Sequence, residues 1–409
     1  MSDKPFQIVV FGATSFVGQI ICQYLTDTYG VDGDVKWAAA GRNPDKLEQV
    51  KASLGSKAAA LPLLQADAND PGQLADLCNM TDVVLSTVGP YALYGEPMVK
   101  ACVETGTDYV DLTGETQWIR AMLLKYEAKA KESGARIVNC CGFDSIPSDL
   151  GVHFLQQQAQ DQFGAPCTRV KMRVKAAKGA MSGGTVASML NIAQEAASDK
   201  ELRKQLANPY ALCIDNAVSS ERQPDVKSAT FDDDFGVWLA PFVMAAINTR
   251  VVHRSNAILG GAYGTDFAYD EAMITGKGTK GWLAAQSITA AMGGFLVAAV
   301  IKPTRWLMEK TFLPAPGEGP SPEAQEKGFY DIRFHGITTK GDEIRTKVTG
   351  DRDPGYGSTA KMISEAALCL AKETPHTLKP GGFWTPATAL GDNLIKRLEA
   401  KAGVHFTAQ

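Results

Sequence analysis

The sequence lacks a surplus of basic residues, since 41 Lys and Arg are set against 45 Asp and Glu, for a formal net charge of −4. Nucleic-acid binding depends on clustered cations that neutralise phosphates, so no nucleic-acid partner is expected. No Cys-x-x-Cys pair occurs among the eight cysteines, and the five histidines stand singly. Because a zinc site needs closely spaced thiolates or imidazoles, no metal site is predicted.

The chain opens with MSDKPFQIVV, which lacks the basic segment and long apolar run of a secretory signal. A cytoplasmic protein is therefore the default expectation. The 409 residues are 45% hydrophobic and 21% charged, which is ordinary globular usage and excludes wholesale disorder. At about 150 residues per domain, this length predicts two or three domains.

Short apolar runs alternate with helix-length amphipathic segments through residues 1–150. Alternation with short connections predicts an α/β fold with a doubly wound, Rossmann-type parallel sheet. The predicted strands cover residues 7–11, 34–40, 61–67, 82–88, 109–112 and 136–142.

After residue 150 the pattern changes, and residues 151–351 predict a second, α+β domain for substrate binding or oligomerisation. Residues 167–178 alternate like a half-solvated antiparallel strand, and residues 329–351 predict a hairpin around a turn at 339–342. Residues 352–409 predict two closing helices, near 357–373 and 386–402, that pack back on the first domain.

Residues 281–301 form an uncharged apolar run with Lys280 and Lys302 on its flanks. A helix of this length would just cross about 30 Å of hydrocarbon, but its Gln, Ser, Thr and Ala content makes it a poor span. Three interpretations stay open: a buried or dimer-interface helix, a peripheral membrane contact, and a transmembrane helix. A second apolar patch at 237–247 adds weight to the lipid contact, and the surplus apolar surface favours a homodimer.

The first strand turns into a helix through the sequence FGATSFVG, in which Gly12 and Gly18 stand at either end. Glycine at 12 permits a tight turn, and glycine at 18 lets the helix lie close to the sheet. Backbone amides between them can bind a pyrophosphate at the helix N-terminus. Ser15 occupies the position of the middle glycine in the usual fingerprint.

Gly41-Arg42 ends the second strand, where an NAD-selective enzyme carries an acidic residue. A guanidinium at Arg42 suits a 2′-phosphate, so NADP(H) is predicted over NAD(H) unless Arg42 is merely a solvated surface charge. Asp67, at the end of the third strand, is placed either to reach the adenine amino group or to cap the next helix.

The fourth strand ends in a Val88-Gly89-Pro90 segment at the sheet edge where doubly wound folds bind ligands. These three residues are predicted to lie beside the nicotinamide half of the cofactor. Tyr91 and Tyr94 follow as candidate proton donors or, alternatively, as packing aromatics. Asp144, or Ser145 next to it, is a candidate for orienting the substrate at the junction between the domains. The adjacent Cys140 and Cys141 are expected to be buried and inert.

These motifs together resemble the saccharopine dehydrogenase-like oxidoreductases, a family that includes bacterial trans-acting enoyl reductases of complex lipid synthesis. The resemblance runs nearly end to end and rests on the motifs FGATSFVG, AGRNPDKL, TVGPYALYGEP, DYVDLTGE, CGFDSIPSDLG, SGGTVAS, PAPGEGPS, PGYGSTAKM and WTPATALGD. It implies a dinucleotide-binding domain joined to a saccharopine-dehydrogenase-like substrate domain. The family pattern also implies cofactor contacts at Gly12, Thr14, Phe16, Val17, Gly18 and Arg42.

For some members the family implies NADPH-dependent reduction of a double bond in a lipid intermediate, and for others an association with membranes or lipid droplets. The function expected here is reduction of an enoyl bond in a lipid or polyketide-type substrate, which a partner protein could carry. Two alternatives stay open. One is a membrane- or lipid-associated dinucleotide-binding protein with little catalysis. The other is a saccharopine-type dehydrogenase of amino acids or imines, although residues 151–351 show no obvious cluster of arginines with carboxylate partners.

Overall fold

The computed structural model describes residues 4–179, 183–214, 221–312 and 319–409. In these residues the chain forms two compact units, each built on a seven-stranded sheet. Of the described residues, unit 1 comprises 4–143, 319–321 and 355–402, and unit 2 comprises 144–179, 183–214, 221–312, 322–354 and 403–409. Within the motifs named above, residue 182 of SGGTVAS and residues 314–318 of PAPGEGPS lie outside the described residues.

The described strands are, in chain order, β1 Phe6–Phe11, β2 Trp37–Gly41, β3 Leu63–Gln65, β4 Thr81–Ser86, β5 Asp108–Asp111, β6 Arg136–Val138, β7 Cys167–Lys178, β8 Thr230–Asp232, β9 Val237–Pro241, β10 Ala268–Gly276, β11 Phe329–Thr338, β12 Glu343–Gly350, β13 Gly382–Trp384 and β14 Val404–Ala408.

The described helices are α1 Phe16–Tyr29, α2 Pro44–Ser53, α3 Pro71–Asn79, α4 Tyr91–Tyr94, α5 Glu96–Thr105, α6 Thr116–Ser133, α7 Ile146–Phe163, α8 Gly183–Ser198, α9 Lys200–Ala207, α10 Ala245–Ile258, α11 Gly278–Val300, α12 Lys302–Phe312, α13 Pro322–Glu326, α14 Gly357–Lys372, α15 Pro386–Ala389 and α16 Gly391–Arg397.

The sheet of unit 1 has the strand order β13-β6-β5-β4-β1-β2-β3, with every neighbouring pair parallel. This confirms the predicted doubly wound α/β fold. The order reverses between β1 and β4, and this switch point is where such sheets bind ligands beyond the strand carboxyl ends. Phe11, Ser86 and Asp111 pair in one row across β1, β4 and β5 at that edge.

Local sequence explains where the helices of unit 1 begin and end. Asn43 and Asp70 cap α2 and α3 by accepting hydrogen bonds from backbone N–H groups, and a proline follows each cap. Gly106 and Gly134 end α5 and α6 in the left-handed conformation, with φ of 72° and 87°, which favours glycine. α14 is almost entirely buried and contacts α1 and strands β1, β4 and β5.

The sheet of unit 2 has the order β14-β12-β11-β7-β10-β9-β8 and is antiparallel except for the β7–β10 pair. The hairpin predicted at residues 329–351 is confirmed as β11 and β12, with the turn between Thr338 and Glu343. α7 lies on β11 and β12, and the approach is close at Gly151, where a Cβ would be 2.3 Å from Phe334 Cζ. A glycine is required there because any side chain would push the helix off the sheet.

The prediction that β7 is half solvated is wrong, because residues 170–174 are all buried. β7 lies inside the sheet between β11 and β10 rather than at an edge. Its alternating cations, Lys171 and Arg173, are buried in ion pairs with Asp232 and Asp270. The polar half of the alternation therefore faces carboxylates instead of water.

The predicted limits of the domains differ from those of the units, since residues 319–321 belong to unit 1 and residues 352–354 belong to unit 2. The first boundary falls between residues 143 and 144, not after 150, and residues 403–409 belong to unit 2. The closing helix expected at 386–402 is instead α15, α16 and a π-helical turn at Leu398–Ala402. Strands β13 and β14 were not predicted, since each is a short segment whose order depends on pairing with β6 or β12.

The apolar run at 281–301 forms most of α11, but the interpretation of a helix buried within one chain is wrong. Of its residues only Gly281, Ala285 and Ala299 are buried. Among the described residues, α11 is the one helix long and apolar enough to cross a membrane, and 11% of its most apolar 18-residue window is buried. The second apolar patch is different, because residues 237–241 form β9 inside the sheet and do not add to an exposed surface.

Candidate cofactor site

The turn between β1 and α1 has the close approach that a dinucleotide-binding loop requires. Gly12 has a φ of +90°, and a Cβ on it would be 2.6 Å from Thr87 Oγ1 and 2.9 Å from Val88 Cγ2. A Cβ on Gly18 would be 2.3 Å from the carbonyl oxygen of Gly12. Both positions therefore need glycine, for the conformation of the turn and for the contact between helix and strand.

Ser15, at the position of the missing middle glycine, forms hydrogen-bonding contacts that fix the turn. Its hydroxyl accepts a hydrogen bond from Gly18 N at 3.0 Å and so caps α1. The same hydroxyl lies 2.9 Å from Thr87 Oγ1, and Thr87 in turn donates to Gly12 O at 2.9 Å. The first turn of α1 is thereby fixed to the end of β4. With no acidic residue in this turn, the loop fits the pyrophosphate of a dinucleotide.

Phe16, the first residue of α1, packs against residues from distant parts of the chain. Its ring meets Tyr356 edge to face, with centroids 4.9 Å apart, and a Cβ on Gly319 would be 2.2 Å from Phe16 Cε1. Tyr356 and Gly319 were not predicted as part of this region. Their only sequence signal is that they fall in the family motifs PGYGSTAKM and PAPGEGPS.

Arg42 follows β2 directly and is exposed. Among the described residues, its guanidinium forms no ion pair or hydrogen bond, whereas its backbone carbonyl accepts from Gln65 Nε2 at 3.4 Å. Asp67 does not cap α3, so that alternative is wrong. Asp70 holds the cap, while Asp67 Oδ1 accepts from Asn69 N at 3.0 Å. The contact of Asp67 with the adenine stays a prediction.

The two candidate tyrosines after β4 differ sharply in their surroundings. Tyr91 is buried, and its hydroxyl donates to Ser86 O at 3.0 Å and accepts from Leu112 N at 3.1 Å. Tyr94 is 46% exposed. The hydroxyl of Tyr91 thus joins the ends of β4 and β5, whereas that of Tyr94 is on the surface.

Two buried carboxylates, Asp111 at the end of β5 and Glu115 shortly after it, lie at the same sheet edge. Glu115 accepts from Tyr91 N at 2.8 Å and from Ala92 N at 2.9 Å, so it holds the first turn of α4. Asp111 accepts from Asn139 Nδ2 at 2.8 Å and from Cys140 N at 3.0 Å. Burial raises the pKa of Asp111 to about 7, although these hydrogen bonds act in the opposite direction.

Cys140 and Cys141 are buried and form no disulfide, and their burial is what the inert interpretation expects. Cys140 has a φ of +62°, which is uncommon for a residue other than glycine. Among the described residues no group of His, Cys, Asp and Glu side chains could hold a metal ion.

Asp144 is the first residue of unit 2, and Ser145 next to it donates to Asn248 Oδ1 at 3.0 Å. Asn248 also donates to Glu271 Oε2 at 2.9 Å, and Tyr269 donates to Glu271 Oε1 at 2.7 Å. Burial raises the pKa of Glu271 to about 7. Unit 2 therefore contains a buried carboxyl that can hold a proton near neutral pH.

Unit 2 also contains a cluster of cations with carboxylate partners, which the sequence did not reveal. Arg173 pairs with Asp232 at 2.8 Å and with Asp270 at 2.7 Å, while Lys171 pairs with Asp232 at 3.1 Å and with Asp234 at 2.5 Å. The carboxylates come from β10 and from the segment around β8, far from β7 in sequence. Since both cations are paired internally, the cluster stabilises the sheet instead of presenting free cations.

Comparison with known proteins agrees with this geometry. The family described as "Saccharopine dehydrogenase NADP binding domain" matches residues 8–138. A candidate trans-acting enoyl reductase of Mycobacterium tuberculosis (strain H37Rv) is 40% identical over 415 residues, 98% of this chain and 97% of its own. A trans-acting enoyl reductase of Mycobacterium bovis (strain BCG) is 37% identical over 413 residues, with 98% and 97% covered.

The chain belongs to the saccharopine dehydrogenase-like family that contains the trans-acting enoyl reductases. Apo saccharopine dehydrogenase from Saccharomyces cerevisiae shares the fold, with a TM-score of 0.54 at 12% identity, covering 98% of this chain and 99% of that one. The saccharopine dehydrogenase-like chain is thus an NAD(P)-dependent oxidoreductase whose first unit binds NADP(H).

Proposed function

We propose that the chain is an NADPH-dependent enoyl reductase that saturates a carbon–carbon double bond in a lipid or polyketide-type thioester. The observation that carries the proposal is the dinucleotide loop of Gly12, Ser15, Gly18 and Thr87, in a chain matched over 98% of its length by relatives named for this activity. The loop supports the use of a dinucleotide cofactor, and the names of the relatives support the class of substrate.

The preference for NADP(H) over NAD(H) is proposed to depend on Arg42. Its exposed guanidinium follows β2, on the half of the sheet that receives the adenosine in doubly wound folds. A planar guanidinium forms paired hydrogen bonds with a phosphate and gains little from a bare hydroxyl. Asp67, after β3, is proposed to contact the adenine.

When bound, the cofactor supplies a hydride for the β-carbon of the enoyl thioester. The protein has to orient the thioester, stabilise negative charge on its oxygen and give a proton to the α-carbon. We assign proton delivery to Tyr94, because its phenol is exposed while the hydroxyl of Tyr91 is engaged with backbone groups. Asp144 is proposed to orient the substrate, and Val88, Gly89 and Pro90 are proposed to contact the nicotinamide half.

The test is oxidation of NADPH, followed by absorbance, with enoyl thioesters of increasing chain length and with amino acids and imines as competitors. Activity with enoyl thioesters, lower in Tyr94→Phe, is the expected result. Activity confined to an imine or amino acid would replace the proposal with a saccharopine-type dehydrogenase. Tight NADPH binding without turnover of either class would indicate a dinucleotide-binding protein.

The substrate is proposed to arrive on a carrier protein, because the relatives are named trans-acting. An enoyl group on an acyl carrier protein should then have a higher kcat/KM than the same group on coenzyme A. Equal values for the two thioesters would argue for a free substrate.

We further propose that α11 and α12 form a peripheral contact with a lipid surface. The exposed large apolar side chains there are Trp282, Leu283, Leu296, Val297, Val300, Ile301, Trp306 and Leu307. The sequence has no Asp or Glu from residue 272 to 308, while it has cations at Lys277, Lys280, Lys302 and Arg305. Apolar surface flanked by cations and tryptophan is typical of binding to anionic interfaces.

Co-sedimentation with phosphatidylglycerol vesicles, compared with phosphatidylcholine vesicles, tests the lipid contact. The wild type should sediment with the anionic vesicles, and the double variant Leu296→Glu, Val297→Glu should not. Leu378→Glu is the matched control, since Leu378 is 71% exposed in unit 1 and should not affect sedimentation. If the double variant instead breaks a dimer and vesicles bind neither protein, the exposed face is a homodimer interface.

A further inference from the structure

Asp111 lies at the carboxyl end of β5, in the half of the sheet of unit 1 that receives the nicotinamide nucleotide. Doubly wound sheets consist of two mononucleotide-binding halves, and β4, β5 and β6 form the second half here. Asp111 pairs with Ser86, the last residue of β4, three residues before Gly89. It is fully buried. The side chain is therefore part of the wall behind the region proposed for the nicotinamide.

The carboxylate of Asp111 is surrounded by hydrogen-bond donors. Oδ1 accepts from Thr113 N at 3.2 Å and from Cys140 N at 3.0 Å, and Oδ2 accepts from Asn139 Nδ2 at 2.8 Å. The backbone carbonyl of Asp111 accepts from Cys141 N at 2.8 Å. These contacts suit an ionised carboxylate, because all three partners of its oxygens, two backbone N–H groups and one side-chain amide, are donors.

The bonds to Asp111 also hold the backbone of Cys140 in an unfavourable conformation. A φ of +62° at a non-glycine residue is energetically unfavourable and persists where the surroundings impose it. Such strain is often found at functional sites. The turn after β6 is thus built to bring two N–H groups onto one buried aspartate.

The two aspartates of β5 differ in whether a cation lies against the carboxylate. Asp108, at the start of the strand, is buried against Arg136, whose Nε is 3.0 Å from Oδ2 and 3.1 Å from Oδ1. Asp111, at the end of the strand, forms no ion pair with any Lys, Arg or His among the described residues. A buried charge without a counter-ion is costly, so its location behind the region proposed for a charged cofactor needs an explanation.

The redox states of the cofactor provide that explanation. The nicotinamide ring is cationic when oxidised and neutral when reduced, and a buried anion interacts with a cation through a low effective dielectric constant. We propose that Asp111 is the residue that sets the relative affinity of the site for the oxidised and reduced cofactor, through the negative charge of its ionised carboxylate behind the nicotinamide. Favouring the oxidised form makes the bound reduced form a stronger hydride donor, as a reductase requires.

This inference rests on the proposed use of NADP(H). It assigns Asp111 as a positioning and electrostatic residue, and the purely structural alternative is that Asp111 only ties the turn after β6 to β5. A structural role would alter the affinities for NADP⁺ and NADPH together, whereas an electrostatic role alters mainly their ratio.

The test measures dissociation constants for NADP⁺ and NADPH with the full chain at about pH 8, above the pKa of Asp111. Asp111→Asn should weaken NADP⁺ binding by about fivefold or more and NADPH binding by less than about twofold. The matched control is the exchange Asp111→Asn, Asn139→Asp, which keeps the amide–carboxylate pair and the negative charge. This double variant should recover most of the wild-type ratio.

If Asp111→Asn does not fold, the wild type alone provides the measurement. Lowering the pH to about 6 should protonate Asp111 and reduce the preference for NADP⁺. The 2′-phosphate titrates in both cofactors and cancels in the ratio. Tyr109, two residues before Asp111 on β5, is a titratable side chain that interacts electrostatically with Asp111, and burial raises the pKa of Tyr109 well above its usual value.

Two results would overturn the inference: equal weakening of both cofactors by Asp111→Asn, or a wild-type ratio that does not change between the two pH values. A chain that binds neither NADP⁺ nor NADPH would instead refute the proposed function. The two failures are therefore distinguishable.

Discussion

The hydroxyl groups of Ser15 and Thr87 lie 2.9 Å apart and join the first turn of α1 to the end of β4. Because Thr87 also donates to Gly12 O, the turn that is proposed to hold the pyrophosphate is fixed from both sides. Ser15, which replaces the middle glycine of the usual fingerprint, thus fixes the turn through hydrogen bonds that a glycine could not form. The conformation of the cofactor loop therefore depends on the segment at the end of β4 as well as on its own sequence.

Thr87→Val should weaken NADPH binding by about fivefold, because it removes the hydroxyl that contacts both Ser15 and Gly12. This corresponds to about 1 kcal/mol, the usual net contribution of one hydrogen bond. Thr87→Ser retains the hydroxyl and is the control, with a dissociation constant close to that of the wild type. Fluorescence titration with NADPH measures both, and equal affinities for the two variants would contradict the role given to Thr87.

Gly18→Ala should reduce both stability and NADPH affinity, since the new Cβ would lie 2.3 Å from Gly12 O. Backbone has to move to relieve such a contact, at a cost of about 1–3 kcal/mol in the free energy of unfolding.

The matched control is Gly294→Ala, at a glycine inside α11 where an added Cβ would have nothing within 4 Å. This change should stabilise the helix by about 0.5–1 kcal/mol. Denaturant unfolding compares the two variants, and a neutral Gly18→Ala would show that α1 does not need its close approach to β1.

Glu271→Gln should change how stability depends on pH. Burial raises the pKa of Glu271 to about 7, above the value of about 4.3 in the unfolded chain. The folded state then binds more protons between these values. The contribution of Glu271 to the free energy of unfolding is therefore full below the unfolded pKa and is lost as the pH rises towards 7. Glutamine keeps a neutral side chain at every pH and removes this contribution.

The free energy of unfolding of the wild type should therefore fall between about pH 5 and pH 8 by more than that of Glu271→Gln. The hydroxyl of Tyr269 can rotate to accept from the new amide, so the variant keeps its hydrogen bonds. Parallel pH profiles of the two proteins would mean that Glu271 is ionised in the folded state throughout this range.

The sequence was sufficient to predict most of the first unit, because strands β1 to β6 and the longer helices between them carry local signals, whereas β13 does not. Asn43 with Pro44 before α2, and Gly106 after α5, are examples of such local signals at helix limits. The loop glycines could be predicted in the same way, since the roles of Gly12 and Gly18 follow from backbone geometry. The family motifs added Thr14, Phe16 and Val17, for which local sequence offers no separate argument.

What could not be predicted depends on contacts between distant residues. Lys171 and Arg173 predicted a solvated strand face, because nothing in β7 indicates that Asp232 and Asp270 would cover it. The buried carboxylate of Asp111 depends on donors that follow β6, some 28 residues later. Pairing of this kind is a property of the sheet and is not encoded in any single segment.

Arg42→Ala should reduce the preference for NADPH over NADH by about tenfold to a hundredfold, the usual range for a hydrogen-bonded charge. The loss should fall on NADPH, since the guanidinium contributes to binding of the 2′-phosphate and little to a ribose hydroxyl.

Lys57→Ala is the control, because Lys57 is an exposed cation of unit 1 whose weak ion pair with Asp27 is 4.0 Å long. It tests whether any lost positive charge has the same effect. Dissociation constants for both reduced cofactors, measured at two salt concentrations, separate a specific phosphate contact from general attraction, which salt screens. An unchanged preference in Arg42→Ala would mean that selectivity for the 2′-phosphate, if present, is set by other residues.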